Sequence, residues 1–143
     1  SARQACHDAG TLQGFLPGTP YVLGLDHWPP FQKCIDEGWA WSLASDFNPN
    51  CHSLSLPFAA SLAVHRCGID PLATLVGCSR NAGVGLRHPE GRPLGTIEVG
   101  GPASLNILWG EELDGWCLTP GQSPFLATLC EGTVMNWSDK AIQ

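Results

Sequence analysis

Charge is scarce in this sequence. Asp, Glu, Lys and Arg make up 14% of it, against roughly 25% in an ordinary soluble domain. Fixed positive charge is confined to Lys33, Lys140 and five scattered arginines. No basic stripe is available to neutralise phosphates, and the formal net charge is −6, which excludes nucleic acid as a partner. An anionic membrane surface is disfavoured on the same ground. No apolar run reaches the ~18 residues that cross a bilayer. The first residues carry neither the charged n-region nor the apolar h-region of a signal peptide.

Motifs that would declare a chemistry are also missing. No C-x-x-C pair occurs, which removes the commonest zinc and redox signatures. The Gly-x-Ser-x-Gly elbow is absent. Gly83-Val-Gly85 lacks both the strand–helix context and the third glycine of a phosphate loop. No cofactor and no metal is expected. Zinc assembled from Cys51, His52, His65 and Cys67 would need a spacing unlike any standard site, and adjacent ligands in one strand point to opposite faces.

Apolar residues are 43% of a 143-residue chain, enough for one domain with its own core. Seventeen glycines and twelve prolines explain part of the charge deficit as turns. The remainder is read as a face covered by protein partners in a larger assembly. Seven cysteines stand at Cys6, Cys34, Cys51, Cys67, Cys78, Cys117 and Cys130. They are expected to form up to three disulfides in an oxidising compartment, whether secreted, lumenal or at a surface. The leftover thiol is free for an intermolecular disulfide. The sequon Asn136-Trp137-Ser138 is compatible with secretion.

Residues 1–20, with Gly10, Gly14, Pro17, Gly18 and Pro20, read as an irregular N-terminal arm, and residues 21–143 as a single domain. Tyr21–Leu25 reads as a short strand stopped by Pro29-Pro30. A helix is expected over 31–45, with a strand over Trp39–Leu43 as its rival, because bulky residues alternate there. Asp70-Pro71 is a cap and first-turn pair for a helix to about Val76. Strand candidates follow at Gly95–Val99, Leu105–Trp109, Trp116–Leu118, Phe125–Cys130 and Thr133–Trp137. The expected fold is α+β and disulfide-stabilised. Two or three short helices lie in the N-terminal and middle part, and an antiparallel sheet in the C-terminal half.

The stretch Asn48-Pro-Asn-Cys-His-Ser-Leu-Ser-Leu-Pro-Phe places a cysteine before an apolar helix. Residues 48–78 resemble the cysteine-plus-helix texture of papain-like proteases, with His88 heading the strand-rich half. That resemblance implies a hydrolase using Cys51 and His88, its thiol activated at a helix N-terminus. The Asp-Gly-Asn-Cys type of box is absent. Pro57 also weakens the case, since proline is comfortable only in a helix's first turn. The helix then starts after Ser55, and Cys51 lies outside it.

Six tryptophans exceed what the size requires. Trp109 and Trp116, flanking the acidic turn Glu111-Glu112-Leu113-Asp114, are the candidates for a binding surface. Neighbouring carboxylates in such a loop rarely reach the ~5 Å or ~6.5–9.5 Å separation of a glycosidase pair. The reading that follows is a non-enzymatic, disulfide-stabilised interaction domain, either an accessory subunit of an assembly or an extracellular binding module. A papain-like cysteine hydrolase is the alternative.

Overall fold

A computed structural model describes residues 2–137. It is a small α+β arrangement, and nothing in it is held by disulfides: all seven cysteines are free thiols. Disulfide stabilisation, and the oxidising compartment inferred from it, therefore fall. Packing takes the role that bridges were expected to fill. Cys34, Cys51 and Cys117 are buried as small apolar groups within or beside the core.

Six α-helices, rather than two or three, occur among the described residues. The first twenty residues carry helix α1 (Ala2–Asp8) and strand β1 (Gln13–Phe15). The chain then forms α2 (Gly18–Val22) where a strand was expected over Tyr21–Leu25. Pro20 presets φ within the first turn of α2, and Gly24, at φ 62°, ends the turn that follows. Helix α3 spans only Phe31–Asp36, because Gly38 at φ 67° terminates it. The period-two pattern then prevails as β2 (Trp41–Leu43).

Strands β1 and β2 pair in parallel, with Gln13 opposite Trp41, Gly14 opposite Ser42 and Phe15 opposite Leu43. Parallel strands need a crossover, which α2 and α3 supply. The sequence reading contained no such pair. Its consequence is local: the chain leaves both strands at the same end of the sheet, into residues 16–18 and 44–55.

After β2 comes α4 (Leu56–Cys67), whose start is set as the Pro57 argument required. The Ser55 hydroxyl accepts from the Phe58 amide, and Gly68 at φ 71° closes the helix. Helix α5 (Pro71–Cys78) is capped by Asp70, whose carboxylate accepts from Leu72 and Ala73. Helix α6 (Arg80–Gly85) follows. Phe15, Phe31 and Trp41 meet edge to face, at centroid distances of 4.9 and 5.2 Å. Ala59, Ala60 and Ala63 bring α4 close to this cluster. Helices α4, α5 and α6 thus pack against the parallel pair at β2.

The C-terminal part is a three-stranded antiparallel sheet in the order β3 (Leu105–Leu108), β4 (Phe125–Cys130), β5 (Thr133–Trp137). Gly95–Val99 forms no strand, and Trp116-Cys117 lie in a 3-10 turn (Leu113–Cys117). Glu131 and Gly132, at φ 49° and 80°, make the two-residue hairpin between β4 and β5.

Candidate functional site

In parallel sheets the ends of the strands toward which the chain runs are where ligand-binding loops gather. Here that end carries a dense polar cluster built on Thr19, Asp46 and Asn48. Asp46, three residues past β2, sits at φ 64°, a left-handed conformation that costs a non-glycine residue about 1 kcal/mol or more. Such strain persists only where neighbours hold it, and at Asp46 they do.

The amide of Thr19, in the first turn of α2, donates to Asp46 Oδ2 at 2.8 Å. Asn48 Nδ2 donates to Asp46 Oδ1 at 3.1 Å, to the Asp46 carbonyl at 2.7 Å and to Thr19 Oγ1 at 2.9 Å. Asn48 Oδ1 in turn accepts from the Asn50 amide at 2.8 Å. Two N–H bonds serve three acceptors, so one is shared, and a flipped amide would face those acceptors with an oxygen. The network therefore fixes the Asn48 side chain. Asn48 and Cys51 also form an isolated backbone bridge that closes the loop. Asp46, Asn48 and Thr19 are all half-buried, so the carboxylate is held at both oxygens without being sealed from solvent.

The sequence reading singled out none of these three. The available signal was Asp46-Phe-Asn-Pro-Asn50, shortly after the apolar strand, a turn-rich run of which only Asn48-Pro49-Asn50 enters the reading of Cys51.

Cys51 itself is 1% exposed, with Gly18 packed against its sulfur. His88 belongs to a different set of contacts: its Nε2 is 2.9 Å from Arg92 Nη2, and its Nδ1 accepts from the Glu90 amide at 3.1 Å. No hydrogen bond joins Cys51 to His88 among the described residues. Burial pushes the thiols of Cys34, Cys67, Cys78 and Cys117 up, that of Cys78 to about 11, which is the reverse of activation.

The two tryptophans part company as well. Trp116 is 3% exposed and donates from Nε1 to the Pro71 carbonyl at 2.9 Å, within the core. Trp109 is 66% exposed, at the edge of an open groove it shares with Glu111, Glu112 and Asp114. Among the described residues no group of three or more His, Cys, Asp or Glu side chains gathers as a metal-ligand set. Asn136 lies on β5, and the Ser138 of its sequon is outside the described residues.

No family model matches the chain. Comparison with curated proteins gives a consistent result. The chain is 37% identical over 101 residues to an imidazolonepropionase of Haloarcula marismortui, covering 71% of this chain and 23% of that protein. It is 35% identical over 108 residues to a probable imidazolonepropionase of Nematostella vectensis, covering 76% and 24%. Against an imidazolonepropionase of Aromatoleum aromaticum it is 33% identical over 135 residues, covering 93% and 32%. The chain thus spans about a quarter to a third of the length of the curated relatives it matches. These relatives are named as enzymes, which overturns the reading as a non-enzymatic, secreted interaction module.

Proposed function

We propose that these residues build part of the active site of a hydrolase that opens an imidazolone ring, with Asp46 as its acid–base carboxylate. The observation that carries the reading is the strained Asp46, fixed at both oxygens at the end of a parallel strand pair. Similarity to proteins named imidazolonepropionase supplies the substrate class. Because the match covers less than a third of each relative, the proposal concerns the part of a site that these residues form.

Hydrolysis of a ring amide adds water to the carbonyl carbon and breaks the carbon–nitrogen bond. One proton must leave the attacking water and one must reach the departing nitrogen. A carboxylate can accept the first and return it as the second, provided that it stays within hydrogen-bond reach throughout. Asp46 meets the geometric requirement of a fixed position, since neither of its oxygens is free to swing away from its partner. The cyclic substrate would approach from the solvent-facing side of the loop.

The test is steady-state turnover of imidazolonepropionate, followed by loss of the ring's ultraviolet absorbance. Asp46→Asn retains tolerance of the left-handed conformation and an oxygen for the Thr19 amide; it loses the acceptor for Asn48 Nδ2, which keeps the residue-46 carbonyl and Thr19 Oγ1, so the fold is expected to survive. Its kcat is expected to fall by about 100-fold or more, the scale of general acid–base catalysis. Equal turnover by the two proteins would overturn the assignment.

A further inference from the structure

Gly18 and Thr19 do for Asp46 what nothing in its own loop can do. A Cβ built on Gly18 would stand 2.7 Å from Cys51 Sγ and 2.9 Å from the Ser45 carbonyl oxygen, with Asp46 Cβ at 3.4 Å. The first of these is the sulfur of a buried side chain and the second is backbone, so neither yields cheaply. Only a residue without a side chain lets α2 begin this close to the loop after β2. That approach in turn brings the Thr19 amide within 2.8 Å of Asp46 Oδ2.

Thr19 also reaches the second carboxylate oxygen, indirectly. Its hydroxyl accepts from Asn48 Nδ2, the same group that donates to Asp46 Oδ1. Without the hydroxyl the Asn48 amide keeps only acceptors on Asp46 itself. Its anchor outside the loop is then lost, and the Thr19 amide on Oδ2 is left to hold the carboxylate to α2 while the Oδ1 side loses its fixed position.

We propose that Thr19 is a positioning residue for Asp46, its amide fixing Oδ2 and its hydroxyl fixing the Asn48 amide that holds Oδ1, with Gly18 as the steric condition for both. The inference rests on the acid–base role of Asp46 put forward above. Thr19 does not touch the reacting atoms in this account. Its effect is on where the carboxylate stands, and displacements of about 1 Å at a catalytic group can cost 100-fold in rate.

The experiment compares Thr19→Val, Thr19→Ser and Asp46→Asn in the protein as expressed, measuring kcat and KM separately. Thr19→Val keeps the side-chain volume and the amide but removes the hydroxyl. It is expected to lower kcat by about 10-fold with KM changed by less than about 2-fold, the pattern of an interaction that matters in the transition state. Thr19→Ser restores the hydroxyl and is expected to return kcat to within about 3-fold of the parent. A Thr19→Val protein with the parent's kcat would overturn the positioning role, as would equal losses in Val and Ser variants. If Asp46→Asn is fully active, the acid–base reading fails instead, and the two failures are told apart.

A second readout needs no turnover. The carboxyl carbon resonance of Asp46 is expected to move in Thr19→Val and to return in Thr19→Ser. A resonance that stays in place in Thr19→Val would overturn the proposal even in a protein with no measurable activity.

Discussion

Asp46 shows how one residue can carry a functional reading that composition hides. Aspartate tolerates the left-handed region better than most residues, yet it adopts φ 64° here against preference. Thr19 and Asn48 hold it there by charge-assisted hydrogen bonds to both oxygens. The turn-rich run Asp46-Phe-Asn-Pro-Asn50 hints at the loop, but the contact itself is unmarked, because Thr19 and Asp46 are 27 residues apart and are brought together by the parallel pairing of β1 and β2. The cysteines mislead in the opposite sense. Their number suggested bridges, but their chemistry is that of small apolar side chains inside a core. Native protein treated with iodoacetamide is therefore expected to label first at exposed Cys130, while Cys34, Cys51 and Cys117 stay protected. Denatured protein should label at all seven positions without any reductant; a mass deficit reversed by reductant would contradict this. Burial raises the Cys78 thiol from 9.0 to about 11, so the folded state favours the protonated form. Its contribution is complete below pH 9.0 and is lost as pH rises towards about 11. The urea midpoint should fall across that window, and less so in Cys78→Ala.

Local structure was readable where a cap or a proline defined it. Ser55 with Pro57, and Asp70 with Pro71, state the starts of α4 and α5 by themselves, since capping is a matter of adjacent residues. The helix expected over 31–45 failed because one glycine, Gly38, outweighed the helical spacing before it. Strand β1 is three residues long and had no pattern to detect. Helix α5 offers a test of packing against propensity at Gly77. Alanine there should gain about 1 kcal/mol of helix propensity. Its Cβ would overlap the ring of buried Trp41, however, and overpacking costs about 1–3 kcal/mol. A fall in Tm of about 3–6 °C is expected for Gly77→Ala, and a rise would show that the ring moves freely.

The hairpin between β4 and β5 depends on a contact of another kind. Glutamate is a poor choice for the first position of a turn with positive φ at both central residues. Arg92 compensates by gripping Glu131 through two hydrogen bonds of 2.8 and 2.9 Å. The same bonds hold the Glu131 carboxyl below its usual range. A depressed carboxyl stabilises above its ordinary pKa of 4.5 and loses that contribution as pH falls through its folded value. Glu131→Gln at neutral pH, and the parent protein as pH falls below 4.5, should both show a lower protection factor, exchange being referred to the intrinsic rate at each pH, for the Gly132 amide, which donates to the Ala103 carbonyl. Unchanged exchange in the variant would mean that the turn holds itself.

Taken whole, the molecule joins a helix-packed parallel pair to a separate antiparallel sheet, and the candidate site belongs to the first. The α+β class could be read in advance, but not the pairing that creates the site, because parallel contacts form between distant residues and leave no local periodicity. The low charge has a visible counterpart in exposed apolar side chains such as Ile97, Val99 and Val84. Chemistry at Asp46 is best judged by the fate of the water oxygen. Imidazolonepropionate incubated with the protein in 18O-labelled water should yield an opened product carrying one labelled oxygen, well above the protein-free control. Asp46→Asn, folded to the same Tm, should bring the labelling back to that control. Equal labelling by the parent and the variant would contradict the account.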